Sequence, residues 1–313
     1  MKKVIYKHFG DERVLELTEQ PMPAFKNNEL LIRVKAVSIN PLDWKIYGGE
    51  MKLLSGSKFP KGVGIDFSGV VENAGSLIGR FKKGDEVIGI LDSFKGEALA
   101  DYIVVQEKNI VIKPGNNSFE EAAALPVTGL SALEIIDQLA AIGPNQEVLI
   151  NGASGGIGVF AVQIAKQRGA KVTAVAGTQG IAVAKDLGAD TVVDYTVQDI
   201  FSLDQKFDAF IDLSTKVSFA AAKKLMKKKA TFITTLPSPL TLLHSFFNNL
   251  FPGKKFKVLN LKPTPHNLDQ LTALVKNGLK IRLDKQYSIS EVRRAYQEAR
   301  HGKTIGKSVI TLD

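Results

Sequence analysis

A chain of 313 residues with 44% apolar and 23% charged content carries enough material for one large domain or two medium ones, and no apolar run reaches the roughly 18 residues of a membrane-spanning helix. The absence of cysteine excludes disulfides, thiol nucleophiles and thiolate metal sites, and His8, His244, His266 and His301 lack ligand spacing, so no metal is expected. The net charge of +9 gathers partly in lysines at 223, 224, 227, 228 and 229 and at 254, 255 and 257, which read as solvated faces, without the aromatic interleaving of a nucleic-acid surface.

The opening MKKVIYKHFGDE turns polar and acidic after two lysines and lacks the apolar core of a secretory signal, so a cytoplasmic protein is expected. Residues 1 to about 120 read as β-rich. ELLIRVKAVSIN alternates like a half-buried strand, and GVGIDFSGVVENAG, GDEVIGIL and ADYIVVQEKNIVIKP follow between Gly, Asp and Pro turn signals. Near Phe119 the texture becomes helical. Ser118 is the expected N-cap of SFEEAAALPVTGLSALEIIDQLA, and Pro126 is expected to kink it.

Strand and helix patterns then alternate from EVLIN through LDQLTALVKNG, the mark of βαβ units on a parallel sheet. A last helix, SEVRRAYQEARHGK, and a last strand, KSVITLD, close the chain. The stretch PSPLTLLHSFFNNLF places Leu243, Phe246, Phe247, Leu250 and Phe251 on one helical stripe. Core or dimer contact is the common meaning of such a stripe; the wall of an apolar substrate pocket or a membrane-surface contact is the other.

The strand Glu147 to Asn151 runs into Gly152, Gly155, Gly156 and Gly158 and then an apolar-periodic helix. Glycines there let the backbone turn sharply and approach a pyrophosphate, whose charge meets the free N–H groups of the first helical turn. The second strand ends in AGTQG, with no acid at 177–180 to bind ribose hydroxyls. Thr178 and Gln179 can donate to a 2′-phosphate, Lys185 is near, and Tyr195 ends the next strand, so NADP(H) is favoured over NAD(H). NGASGGIG also resembles the loop of short-chain dehydrogenases, but none of the six tyrosines has the lysine four residues on that those enzymes need.

Taken together, VSINPLDWKIYGG, KFPKGVGIDFSGVVENAG, AAALPVTGLSALEII and ASGGIGVFAVQIAKQRGAKV resemble the medium-chain dehydrogenase/reductase superfamily along nearly the whole chain. Where zinc members carry Gly-His-Glu, this chain reads GVGIDF with Ile65 and Asp66, so the resemblance is to the zinc-free quinone and enone reductases. It implies a Rossmann-type doubly wound parallel sheet at 123–284 and a β-rich GroES-like catalytic domain formed by 1–122 and 285–313. It also implies a homodimer, and hydride transfer from NADPH to a small quinone or α,β-unsaturated carbonyl.

Position by position, the resemblance places Asn40 beside the nicotinamide or the substrate oxygen and Lys45 toward the cofactor phosphates or the pocket. Thr128 would hold the carboxamide, and Ser154, Gly155, Gly156 and Ile157 the pyrophosphate. Thr178, Lys185 and Tyr195 would surround the 2′-phosphate, and Ser214 and Leu236 would line the cofactor cleft. Asp43 reads as a cap or a pairing residue, and Tyr47 is named with solvent as a proton source. The alternative reading is a cofactor-binding, crystallin-like structural or RNA-binding protein without significant catalysis, supported only by the positive charge.

Overall fold

The computed structural model describes residues 1–235, 238–302 and 304–312. The chain forms two compact units, one of Met1–Val127, Pro263–Asn277 and Leu283–Asp313, the other of Thr128–Lys262 and Gly278–Arg282. Residues 263–277, grouped with the second unit in the sequence reading, thus pack with the first.

In the first unit, strand Glu29–Ser38 lies at the centre of a sheet that is seven-stranded among the described residues. Its expected half-buried alternation forms through the middle, where Ile32, Val34 and Ala36 are buried and Arg33 and Lys35 are not. Before it, Leu30, Leu31 and Ile32 are buried in succession, at the register shift between Leu31 and Ile32 where the strand pairs with Asp66–Ala74. Leu30, Ile32, Val34, Phe67 and Val87 meet Tyr6, Tyr47 and Tyr296 in one apolar core. The C-terminal strand Lys307–Thr311 inserts between Leu283–Ser288, to which it is parallel, and Glu29–Ser38, to which it is antiparallel. That insertion places Lys307 beside the end of Glu29–Ser38, where Ile39 donates its N–H to the Ser308 carbonyl at 3.0 Å.

Ser118 caps helix Phe119–Ala123 in a reciprocal box with Glu121, as the sequence reading expects. Pro126 does not kink a continuing helix. It opens a new one, Pro126–Leu133, at a position where a missing N–H costs nothing.

The second unit is built on a parallel sheet in the order Thr191–Asp194, Lys171–Ala176, Glu147–Asn151, Phe207–Asp212, Met226–Thr234, Lys255–Val258. Numbered within this unit, the order is 3-2-1-4-5-6, the doubly wound arrangement whose succession reverses beside its first strand. Helix Gly158–Gln167 is buried from Gly158 to Ala165, so its apolar residues cover one face of the sheet.

Helix Pro239–Leu250 contains no buried residue. Its polar side docks, with Ser245 Oγ and Asn249 Nδ2 donating to the Phe256 carbonyl at 2.6 and 2.7 Å. The apolar stripe points away: Phe246 is 61% exposed and Leu250 62%. A core role for this stripe within the chain is thereby corrected. No described helix is long and apolar enough to cross a membrane.

Candidate functional site

Asn40 closes the turn between the central strand and helix Pro41–Tyr47, where Pro41 pre-sets the first helical φ and Asp43 completes a capping box. Asn40 is 2% exposed, and all of its polar atoms are used. Its N–H donates to Asp43 Oδ2 at 2.8 Å and its Nδ2 to Asp66 Oδ1 at 2.9 Å, while its Oδ1 accepts from Lys307 Nζ at 2.8 Å. Lys307 also donates to the Ile39 carbonyl at 2.6 Å, Ser38 Oγ donates to Asp66 Oδ1 at 2.8 Å, and Tyr296 OH donates to Asp43 Oδ2 at 3.0 Å. The result is a buried cluster of two aspartic acids, one lysine, an amide and hydroxyls.

Burial dominates its electrostatics. Desolvation, with the field of Asp66 added, pushes the Asp43 carboxyl up to about 7 against its bonds to Asn40 and Tyr296 and the field of Lys307. Burial raises Asp66 as well and lowers Lys307, each opposed by the other's charge. Tyr47 lies in the same helix as Asn40's cap, 0% exposed, with a buried hydroxyl that has no partner. Burial first, then the charges of Glu12 and Asp43, raise its pKa and keep it protonated. Lys45 is half-buried in that helix.

Within this unit a cavity of about 420 Å³ is lined by Asp43, Tyr6, Ile46, Phe59, Ile65 and Phe94, with Lys58, Lys61 and Lys95 also in its wall. Its wall is mixed, aromatic and aliphatic side chains standing beside charged ones. Tyr6 presents a buried, unpartnered hydroxyl there, its pKa pushed up to about 12 by burial and by Glu97.

In the second unit the glycine loop does what its composition requires. Gly152 has φ +89°, a left-handed conformation that favours glycine, and its carbonyl accepts from Gly155 N–H at 3.1 Å. A Cβ on Gly158 would stand 2.2 Å from the Gly152 oxygen, so only glycine lets the helix start this close to the strand. Ser154, Gly155, Gly156 and Ile157 form a contiguous, partly exposed crown between Glu147–Asn151 and Gly158–Gln167. Backbone groups at such a crown fit a pyrophosphate. Thr128 is buried in helix Pro126–Leu133.

Ser214 donates to Asp212 Oδ1 at 2.6 Å, and Asn151 Nδ2 bonds both Asp212 Oδ1 and Ser214 Oγ, at 2.9 and 3.0 Å. Ser214 thus joins the strand ends on either side of the reversal in strand order, the usual ligand position of such sheets. Leu236 lies outside the described residues.

Around the second strand's end the sequence reading needs a correction. No acid occupies 177–180, but the parallel register pairs Ala176 with Asp194 and brings a carboxylate to the same place from the next strand. Thr178 Oγ1 donates to Asp194 Oδ2 at 2.7 Å, and Thr196 donates to Asp194 Oδ1 through both its N–H and its hydroxyl. Tyr195 packs over Gly177, where an added Cβ would meet its hydroxyl at 3.2 Å. Ser154 packs against Gly180. Lys185 is exposed in the last turn of Ile181–Asp186.

Sequence reasoning missed Lys307, Tyr296, Asn151, Asp212 and Asp194 as site residues. The last three stand at strand ends, and listing every polar residue that closes a parallel strand would have found them. Lys307 and Tyr296 carry no such signal: one opens an apolar strand and the other sits in a charged helix.

The comparisons with known proteins agree with this architecture. Residues 26–115 match the alcohol dehydrogenase GroES-like domain and residues 187–310 a family described as zinc-binding dehydrogenase. The donor set does not fit zinc: the chain has no cysteine, and among the described residues no three His, Asp or Glu gather as a metal would require. The chain is 34% identical over 322 residues to the chloroplast envelope quinone oxidoreductase homolog of Arabidopsis thaliana, covering 99% of this chain and 98% of that one. It is 32% identical to the 2-methylene-furan-3-one reductase of Solanum lycopersicum, covering 99% and 79%. The solved quinone oxidoreductase of Coxiella burnetii superposes with a TM-score of 0.90 at 29% identity, covering 100% and 99%. With relatives matched along almost their whole length, the chain belongs to the medium-chain dehydrogenase/reductase superfamily, in its quinone-oxidoreductase-like branch.

Proposed function

We propose that this oxidoreductase is a zinc-independent, NADPH-dependent reductase of quinones or short α,β-unsaturated carbonyls. The observation that carries the reading is the pairing of features within one chain: a glycine crown at the head of a parallel sheet, and a buried Asn–Asp–Lys cluster beside a cavity walled by aromatic and charged side chains. Two of its relatives, a quinone oxidoreductase homolog and a 2-methylene-furan-3-one reductase, are named for acceptors of this chemical kind.

When bound, the nicotinamide supplies a hydride. The chain's own residues do the rest. The backbone of Ser154, Gly155, Gly156 and Ile157 holds the pyrophosphate. Thr128 orients the carboxamide, and Ser214, fixed by Asn151 and Asp212, borders the cofactor. Lys185 and Tyr195, with Thr178, receive the 2′-phosphate. Asn40, locked by Asp66 and Lys307, fixes Asp43 through its N–H at the cavity wall, and Tyr47 remains a protonated hydroxyl. Lys45 adds positive charge toward the cofactor phosphates. Charge developing on the reduced acceptor spreads over an enolate, so positioning and exclusion of water suffice without a Lewis acid.

The same reading includes a homodimer and a cytoplasmic location; the comparisons include chloroplast and mitochondrial proteins. The experiment is to mix the purified protein with NADPH and 1,4-benzoquinone or a short enone and follow the loss of nicotinamide absorbance. Turnover supports the reading. No turnover across a broad acceptor panel defeats it, and an NADPH-induced rise in Tm without turnover would favour a cofactor-binding structural protein.

A further inference from the structure

The buried cluster of the first unit holds more acid than it can keep as charge. Asp43 and Asp66 are 3% and 0% exposed, and Lys307, at 3%, is the buried cation among them. Two carboxylates and one ammonium would leave an unpaired buried negative charge, which costs several kcal/mol. The neutral arrangement places one proton on one aspartate.

Hydrogen bonds decide which. Asp66 accepts from Ser38 Oγ, Asn40 Nδ2 and Val127 N–H at 2.8, 2.9 and 3.3 Å, so both of its oxygens are served. The donors to Asp43, the Asn40 N–H and the Tyr296 hydroxyl, both go to Oδ2. Asp43 Oδ1 is buried with no partner. An ionised carboxylate wants donors at both oxygens, whereas a proton on Oδ1 makes it an O–H donor in want of one acceptor, which a carbonyl oxygen seated in the cavity would supply. Asp43 is also the acid of this cluster that lines the cavity.

We infer that Asp43 is the general acid of the reaction, a neutral carboxylic acid that hands its proton to the acceptor seated in this cavity. The assignment rests on the reductase reading. In the step, the hydride's electron pair forms the new bond to the acceptor and the nicotinamide is oxidised by two electrons. The Asp43 O–H breaks and its proton passes to the anionic acceptor. A quinone leaves as hydroquinone and an enone as the saturated ketone, Asp43 is left as a carboxylate, and water restores its proton.

The groups around Asp43 fit this role. Lys307 stabilises the carboxylate once formed, while Asp66 opposes it. Tyr6, Tyr47 and Tyr296 all hold their protons more tightly than free tyrosine, which makes them poorer proton donors than Asp43. Lys58, Lys61, Lys95 and Glu97 are the charged residues of the cavity wall. An acid poised near neutrality transfers protons most effectively at neutral pH.

The test uses the full-length protein with NADPH and a short enone, in wild-type form and as Asp43→Asn and Asp43→Glu. For Asp43→Asn we expect kcat to fall by about 10²–10⁴, with KM for NADPH nearly unchanged. We expect the alkaline fall of wild-type kcat, with its midpoint near 7, to disappear. Asp43→Glu should recover part of the rate. Infrared spectra of the wild-type protein should show a carboxylic-acid C=O band that titrates near neutrality and is missing from Asp43→Asn; this arm decides the matter if the variant fails to fold. Wild-type turnover with Asp43→Asn within about threefold and the same pH profile, or a wild-type spectrum without the band, overturns this assignment alone. No wild-type turnover overturns it together with the reductase reading.

Discussion

Tyr296 donates its phenol proton to Asp43 Oδ2 at 3.0 Å, tying the penultimate element of the chain to its first helix across 253 residues. Its ring meets Tyr47 edge-on at 5.6 Å, so the same side chain fills the core and serves the polar cluster. Tyr296→Phe keeps the packing and deletes the bond. The expected cost is about 1 kcal/mol. The pH dependence is also signed. Asp43 is raised when folded, so its contribution is full below the unfolded carboxylate pKa and is lost as pH rises toward about 7. Tyr296 holds that pKa down, so in the variant the decline should extend to higher pH. Urea unfolding from about pH 5 to about pH 8 reads both effects.

Lys307→Met removes the buried cation and leaves Asn40 Oδ1 and the Ile39 carbonyl without their donor. At neutral pH the loss should be about 3–5 kcal/mol. It should shrink on acidification, because Asp43 and Asp66 are both raised when folded and become neutral as pH falls. A loss that is constant between about pH 5 and pH 8 would contradict the coupling.

Gly158→Val puts side-chain atoms where the Gly152 carbonyl lies, since even a Cβ would approach it to 2.2 Å. The helix must move off the strand, at about 1–3 kcal/mol, and the amide crown moves with it. The expected result is a lowered Tm for the apoprotein and a much reduced NADPH-induced rise, both read by thermal melting.

Lys185→Ala should weaken NADPH up to about fivefold while leaving NADH nearly unchanged, because an exposed lysine contributes at most about 1 kcal/mol to a charge pair. Asp194→Asn should act the other way. It removes the carboxylate that Thr178 bonds at 2.7 Å and so favours the extra phosphate. The ratio of the two dissociation constants checks both variants.

The contrast between what could and could not be read along the chain follows contact distance. Gly152 and Gly158 are six positions apart and their constraint is local, so the loop was legible as a phosphate crown. The polar cluster was not, because Lys307 reaches Asn40 across 267 residues and no spacing rule connects them. Asp194 escaped for a related reason: it is matched to the second strand by register with Ala176, not by sequence position. The stripe of Leu243, Phe246, Phe247 and Leu250 was legible as one helical face. Its direction was not, because Ser245 and Asn249 decide which side docks by bonding Phe256.

Calorimetric titration of the apoprotein with NADPH and, separately, NADH tests the central claim most directly. Saturable uptake of NADPH, tighter than that of NADH and abolished in Gly158→Val, is the result expected of a glycine crown that grips a nicotinamide dinucleotide. Absence of heat with either dinucleotide, from protein that melts cooperatively, would contradict it.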